Sequence, residues 1–414
     1  MLASGASAWF ATSSHTAGAE LVRRAVATGS TLGHAADVDL RAGGVHVRTW
    51  SSDVGGLTER DVALARGVSA AARDVGVPAD PAVLQAVQLT IDTAQREPVM
   101  GFWRAALGYG RRGDDLVDAM RRDPSIWFQD MDVDRPLRNR VHLDVGVAPE
   151  LTRERIAAIE AAGGRQMRSS DYHAALADLD GNEVDVVPLR PEGDLADVPE
   201  RADWRVLFAA MVHYPTTDPT IAAELAAAAA AGADDADIDL LIDVRPAGVT
   251  IDSGKDRWEH ERFADLATQI QGAARDLGLR ADPAPLRFVQ VGIDAVDIPS
   301  VRAFWHAVLG YELDTRPYVT DIYDPRQLSV PLFFQPMSPD DTARRAQRNR
   351  THIDVFVPDD QAEARVAAAL AAGGRVVYDA EAPEWWTIAD PEGNEVDIAV
   401  AVGREERWAA QQGR

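Results

Sequence analysis

Alternating apolar and polar residues predict strands at 38–40 and 45–50, with Gly43-Gly44 between them as a hairpin turn. Helical spacing brackets this pair. One helix covers 16–28; another starts at Thr58, a capping hydroxyl, and runs to Asp74 with Glu59 at its positive end. The same order returns at 220–231, 238–244, 249–252 and 259–277. Beyond Pro78 and Pro81, and again beyond Pro283 and Pro285, the pattern changes. Residues 87–91, 126–129 and 141–147 read as strands; 98–107 and 152–162 read as helices, the latter stopped by Gly163-Gly164. Strands near 173–177 and 183–187 follow, joined by a Leu-Asp-Gly-Asn turn. The order β-α-β-β, then β-α-β-β, with weaker strands such as 109–112 in the gaps, predicts two related βαβββ modules in each rear part.

The chain is written twice. FWRAALGY at Phe102 returns as FWHAVLGY at Phe304, and RNRVHLDV at Arg138 as RNRTHIDV at Arg348, each with six of eight residues identical. AAGGR at Ala161 and GNEVD at Gly181 return at Ala371 and Gly393. Offsets of 202, 210, 210 and 212 keep the order, so a unit of roughly 200 residues is duplicated, too long for a solenoid repeat.

Composition narrows the chemistry. With 42 basic and 66 acidic residues the net charge is -24, which opposes nucleic-acid binding. No cysteine is present, so disulfides, thiolate ligands and cysteine nucleophiles are excluded, and Lys255 is the only lysine. No run of about 18 apolar residues predicts a membrane span. The first ten residues lack a signal peptide's basic and apolar regions. A cytoplasmic location is the expectation.

In the rear parts, the strand before FWxAxLGY, the RxHxDV strand, the AAGG turn and the D-x-x-GNEVD ending together resemble the vicinal oxygen chelate superfamily, in its glyoxalase and bleomycin-resistance branch. The resemblance implies paired βαβββ modules curled around a small-molecule cleft. It also implies metal ligands on the first, fourth, fifth and eighth strands. Matched by position, these fall on Ala86, Gln129, His142 and Asp185 in the first copy, and on Phe288, Gln335, His352 and Asp397 in the second. Ala86 and Phe288 cannot bind metal, so Gln, His and Asp of each rear domain are expected to converge on one cleft. They would suit Mn, Fe, Ni or Zn with positions left for substrate. Arg140/Arg350 and Asp144/Asp354 recur beside the histidines on the same strand face. A metal site, a metal-free ligand cleft and a structural Arg-His-Asp ladder all remain open. Trp127, Phe128, Phe333, Phe334, Trp385 and Trp386 are the candidate ligand-binding aromatics, since indole and phenyl faces stack on flat or cationic ligands.

The stretch from His34 to Ala65 resembles pterin-4a-carbinolamine dehydratase. That family's histidines work as general acid and base. His34 matches the first of them and is the candidate catalytic residue. Ala35, Ala36 and Ser52 stand where a second His, a Pro and a third His belong, while Gly55-Gly56-Leu57-Thr58 and Asp61 remain. In the second copy Asp234 is matched to His34, and Lys255 to Glu259 replace the Gly-Gly-Leu-Thr loop.

These readings give an α+β chain of four domains. Dehydratase-like domains are expected at 1–80 and 203–282, and glyoxalase-like domains at 82–190 and 285–402. The expected function is small-molecule binding in the rear clefts, with metal-assisted lyase or isomerase chemistry, or drug sequestration. Pterin dehydration and a non-catalytic scaffold are the alternatives. The expected partners are a small-molecule ligand, with no nucleic acid and no membrane. The two front domains are expected to pair as an intrachain pseudo-dimer, and a homodimer of the chain is a further option.

Overall fold

The computed structural model describes residues 5–187 and 195–400. Helix and strand are mixed, as an α+β fold requires. The chain divides into two compact units: a front unit of 3–84 with 190–288, and a rear unit of 85–189 with 289–414. Each unit therefore joins like segments of the two copies.

The front unit is one seven-stranded sheet. Its order is Ala6–Ala11, Gly44–Thr49, Asp37–Arg41, Leu241–Arg245, Gly248–Asp252, Ala210–Pro215 and Arg205–Val206. The two copies meet in the middle, where Val38 pairs with Val244 and Leu40 with Ile242. One face of alternating valine, leucine and isoleucine packs on helices His15–Leu32, Glu59–Asp74, Pro219–Ala236 and Phe263–Asp276. Each such side chain contributes roughly 1.5–3 kcal/mol by leaving water. The residues between them turn the other way and are polar. Asp39 and Asp243 are directly opposed across the seam, and arginines cross it to neutralise them. Arg245 bonds Asp39, and Arg41 lies 2.8 Å from Asp243. Burial pushes the Asp39 carboxyl up, but Arg245, His46 and Arg41 together hold it well below the usual carboxylate range.

Three strands of this unit, Ala6–Ala11, Ala210–Pro215 and the short Arg205–Val206, are absent from the sequence expectation. The first, ASAWFA, is alanine- and serine-rich, a composition with weak strand preference. Ala210–Pro215 is buried on both faces from Ala210 to Tyr214, which erases the period of two. The match of Asp234 to His34 is also corrected. Gly33 and Asp237 end the two equivalent helices in the left-handed conformation, so His34 corresponds to Ile238. Asp234 lies inside its helix. Its carboxylate receives the His15 and Thr16 backbone N–H groups at 3.0 and 2.8 Å, capping the other copy's helix.

The rear unit holds two eight-stranded sheets, and here each copy is divided. In one, Ala86–Thr93, Ser125–Asp130, Asp115–Val117 and Gly110–Arg112 of the first copy join Thr351–Phe356, Glu395–Ala399, Trp385–Ala389 and Arg375–Tyr378 of the second. The other combines Arg287–Ala295, Leu332–Pro336, Ile322–Tyr323 and Glu312–Leu313 with Val141–Val147, Glu183–Val187, Ala174–Ala177 and Arg165–Ser169. The modules of one rear part thus pair with modules of the other, not with each other as the sequence reading expects.

The repeated motifs fasten this exchange. Asn349 Oδ1 accepts the Arg140 N–H at 3.0 Å, and Asn139 Oδ1 accepts the Arg350 N–H at 2.9 Å. Asn139 and Asn349 donate in turn to Asn182 and Asn394 of the two GNE turns. The buried Arg140 and Arg350 guanidinium groups donate to carbonyls of the opposite copy, Glu392 and Leu137 among them. Trp103 and Trp305 donate to Asp178 and Asp390, which organise the same turns. The tryptophan and asparagine motifs are therefore structural, and Arg140 and Arg350 are clasps rather than rungs of a ladder.

Candidate functional site

Each rear sheet carries one histidine beside two carboxylates, set by strand register. In the sheet containing the first copy's C-terminal strands, Asp144 and Asp185 are neighbours on adjacent parallel strands. His142 stands two residues before Asp144 and so shares its face, with Nε2 3.7 Å from Asp144 Oδ1. In the other sheet Asp354 and Asp397 are neighbours in the same way. His352 Nε2 lies 3.4 Å from Asp354 and 3.9 Å from Asp397. Within each trio the ligand atoms lie within 4.8 Å of one another. Side-by-side carboxylates on neighbouring strands repel unless something positive sits between them. Asp185 Oδ1 and Asp397 Oδ1 are buried without a hydrogen-bond partner, as is His142 Nδ1. A buried carboxylate oxygen with no donor is costly, and a bound cation removes that cost.

The fourth-strand glutamines are regrouped by the module exchange. Gln335, expected with His352 and Asp397, instead lies beside His142, its amide nitrogen 2.9 Å from His142 Nε2. Gln129, expected with His142 and Asp185, is in the His352 sheet and donates to Asp92. The first-strand position is corrected as well. Thr90, not Ala86, is directly opposite His352, and Ala86 is paired with Phe356 at the far end of the strand. In the other sheet Gly292 lies against His142, while Phe288 belongs to a front-unit apolar cluster with Phe208 and Leu286.

The aromatics separate by the same period of two. Trp127 lies across from Thr90 and shares the site face with Gln129. Phe333 meets the His142 ring edge-on at 5.6 Å. Trp385 shares the face of Asp397 through Thr387 and stacks on Tyr378 at 6.1 Å. Phe128 and Phe334 point to the opposite face and are sealed in the apolar core, and Trp386 packs against that core, so these three do not line the sites.

Asp144 and Asp354 escaped notice as ligands because their recurrence also fits a ladder; the His-x-Asp spacing, which puts both groups on one face, was the signal. Asp92 and Asp294 were missed, since nothing local marks an aspartate near a strand end. Asp92 is bonded by the buried Arg135, with Arg348 3.9 Å away. Asp294 is bonded by Arg344 and lies 2.9 Å from Arg138.

In the front unit His34 Nε2 lies 2.8 Å from Asp61 Oδ1 and 3.2 Å from Thr49 Oγ1. Asp61 also accepts from Thr49, Ser51 and the Thr58 N–H. Burial pushes its carboxyl up, but the bonds from Ser51, Thr49, His34 and Thr58 hold it well below the usual range. A cavity of about 550 Å³ opens beside Asp61, lined also by Leu57, Val62, Arg66 and Arg73. The structure therefore gives His34 a carboxylate partner, but the motif's other imidazole positions hold Ala35 and Ser52.

Residues 88–187 and 290–399, just over half of the chain, match the family described as glyoxalase-like domain, and the chain belongs to that family. Residues 7–71 match the family described as pterin 4 alpha carbinolamine dehydratase. Among solved structures, glyoxalase I from Zea mays is 10% identical, covers 78% of this chain and 95% of its own, with a TM-score of 0.40. A glyoxalase/bleomycin resistance protein/dioxygenase family enzyme from Burkholderia phytofirmans is 18% identical over 27% of this chain and 97% of its own, with a TM-score of 0.21. The cppA protein from Streptococcus pneumoniae is 9% identical over 76% and 98%, with a TM-score of 0.36. A search of curated proteins finds no match.

Proposed function

We propose that each rear site binds a divalent metal ion and, through it, a small molecule with adjacent oxygen atoms. The observation that carries this reading is the pair of neighbouring aspartates beside a histidine, twice, with a buried oxygen of Asp185 and of Asp397 left without a donor. His142, Asp144 and Asp185 would hold one ion, and His352, Asp354 and Asp397 the other. The donor set of one nitrogen and several oxygens suits Mn, Fe, Ni or Zn. When bound, the ion supplies Lewis acidity toward the ligand's oxygens. The chain's own residues fix the ligands, and Trp127, Phe333 and Trp385 offer flat apolar surface to the rest of the molecule. Lyase or isomerase chemistry and simple sequestration are both compatible with this arrangement, and turnover separates them.

Metal analysis tests the reading. Protein purified without chelator and equilibrated with Mn is expected to hold up to two ions per chain, one for each trio. The double substitution Asp185→Asn with Asp397→Asn should abolish uptake. Less than about 0.2 ion per chain in the unaltered protein would overturn it.

For the front unit we infer a scaffold. His34 is tied to Asp61 and Thr49, and no second imidazole stands at the motif's other positions. No carbinolamine dehydration is expected. Turnover that disappears in His34→Ala would replace this inference with the dehydratase reading.

A further inference from the structure

The two rear sites are built to one plan but finished differently, and the difference starts at one cross-strand position. Thr90 and Gly292 are equivalent residues on the two strands that face the histidines. A Cβ on Gly292 would lie 2.3 Å from His142 Cε1 and 2.5 Å from Nε2, so the imidazole occupies the space a side chain would need. The ring rests on bare backbone and presents Nε2 to the Gln335 amide, 2.9 Å away. Its Nδ1 is buried with no partner. The first-strand carboxylates do not make the difference, since Asp294 is engaged by Arg138 and Arg344 and its equivalent Asp92 by Arg135 and Gln129.

At the other site Thr90 has a branched side chain, so His352 cannot lie down on the strand. Thr90 Oγ1 donates to Asp354 Oδ2 at 2.8 Å and fixes that carboxylate. His352 directs Nε2 toward Asp354 and Asp397, and its Nδ1 stands 3.9 Å from Asp92 Oδ1, beyond hydrogen-bond reach, so that Asp92, which accepts from Gln129, acts on the ring through its charge. Metal-ligating histidines are commonly oriented by a carboxylate on the far ring nitrogen, and loss of such a partner costs roughly 10–100-fold in metal affinity.

Building on the metal reading above, we propose that the sites are unequal: the His352 site is the tight divalent-cation site, with Thr90 and Asp92 as its positioning residues, and the His142 site is the weak one because Gly292 lets its imidazole turn to Gln335. A cation at His142 must first displace that amide contact. A cation at His352 meets a nitrogen already aimed at two carboxylates.

Titration of the metal-free full chain with manganese chloride, followed by calorimetry and by the spin-resonance signal of free ion, tests this. Two classes are expected, one ion each, with the second at least about tenfold weaker. His352→Ala should remove the tight class and leave the weak one; His142→Ala should do the reverse. Thr90→Gly should weaken the tight class by about tenfold or more, while Thr90→Ser, which keeps Cβ and the hydroxyl, should preserve it. Asp92→Asn should lower affinity at that class without lowering the number of ions bound. If Thr90→Gly fails to fold, the Asp92→Asn and histidine variants decide the matter. Two equal classes, loss of the tight class in His142→Ala, or unchanged affinity in both Thr90→Gly and Asp92→Asn would overturn the inequality and leave the metal reading standing. Absence of any manganese binding would overturn both.

Discussion

The front and rear units join their copies in different ways. The front unit zips two sheets edge to edge along a single seam, so each half keeps its own local residues. His34 and its partners Thr49, Ser51 and Asp61 all come from the first copy. The second copy could lose its counterpart, Ile238, without touching them. The rear unit exchanges whole modules. Each site takes its histidine and two aspartates from one copy and its facing strand from the other. A change in either copy therefore reaches both sites. This accounts for a sequence repeat that is plain in the rear parts and faint in the front ones.

Several substitutions probe that contrast, from the largest expected effect down. Asp39→Ala removes the carboxylate between buried Arg245 and His46 and should destabilise the front unit by about 3–5 kcal/mol in urea unfolding. Manganese uptake measured below that transition should stay unchanged. Arg350→Ala takes buried charge-assisted bonds from the Leu137 carbonyl and Asn182, at a cost of about 3 kcal/mol. Here both metal sites should weaken together. Loss confined to the His352 site would contradict the clasp.

Trp305→Phe removes the 3.1 Å bond to buried Asp390 and leaves part of the indole's space empty, with about 2 kcal/mol expected. Burial already pushes the Asp390 carboxyl up, although Asn394 and Trp305 donate to it. A raised folded pKa means the folded state holds its proton longer. This group's contribution is full below the usual carboxylate pKa and fades as pH rises through the folded value. Removing the indole donor should raise that value further, so the deficit of Trp305→Phe should grow with pH across the titration of Asp390. The smallest effect is expected of Asp234→Asn, roughly 0.5 kcal/mol, because the amide oxygen can still accept and only the charge at the helix's positive end is lost. The Asp234 carboxyl is held at about 2, burial raising it and the Thr16 and His15 bonds lowering it. The cap's ionic contribution is present above pH 4 or so and is lost as pH falls toward about 2. The difference between Asp234→Asn and the parent chain should close over that range.

Much of this is legible in the sequence. The duplication, the βαβββ order and the trio of Gln, His and Asp types are written in repeated strings with fixed spacing. Strand partners are not. A run such as Val141 to Val147 announces a strand, but which edge it joins depends on contacts more than a hundred residues away. The expected grouping of Gln129 with His142 failed for that reason. Register has the same character: the placement of Thr90 opposite His352 follows from pairing, which the positional match to Ala86 could not supply. The Ile238 equivalence was hidden because Asp237 adopts the left-handed cap that Gly33 supplies in the first copy.

Module exchange also sets a schedule for the growing chain. The bond from Thr90 to Asp354 spans 264 residues. At roughly 5–20 residues per second, the strand Ala86–Thr93 leaves the ribosome tens of seconds before its partner exists. During that interval its edge is open, and its natural occupant is still being translated. Whatever shields nascent chains must cover this strand longer than any in the front unit's first half, whose hairpin from Asp37 to Thr49 can close almost at once.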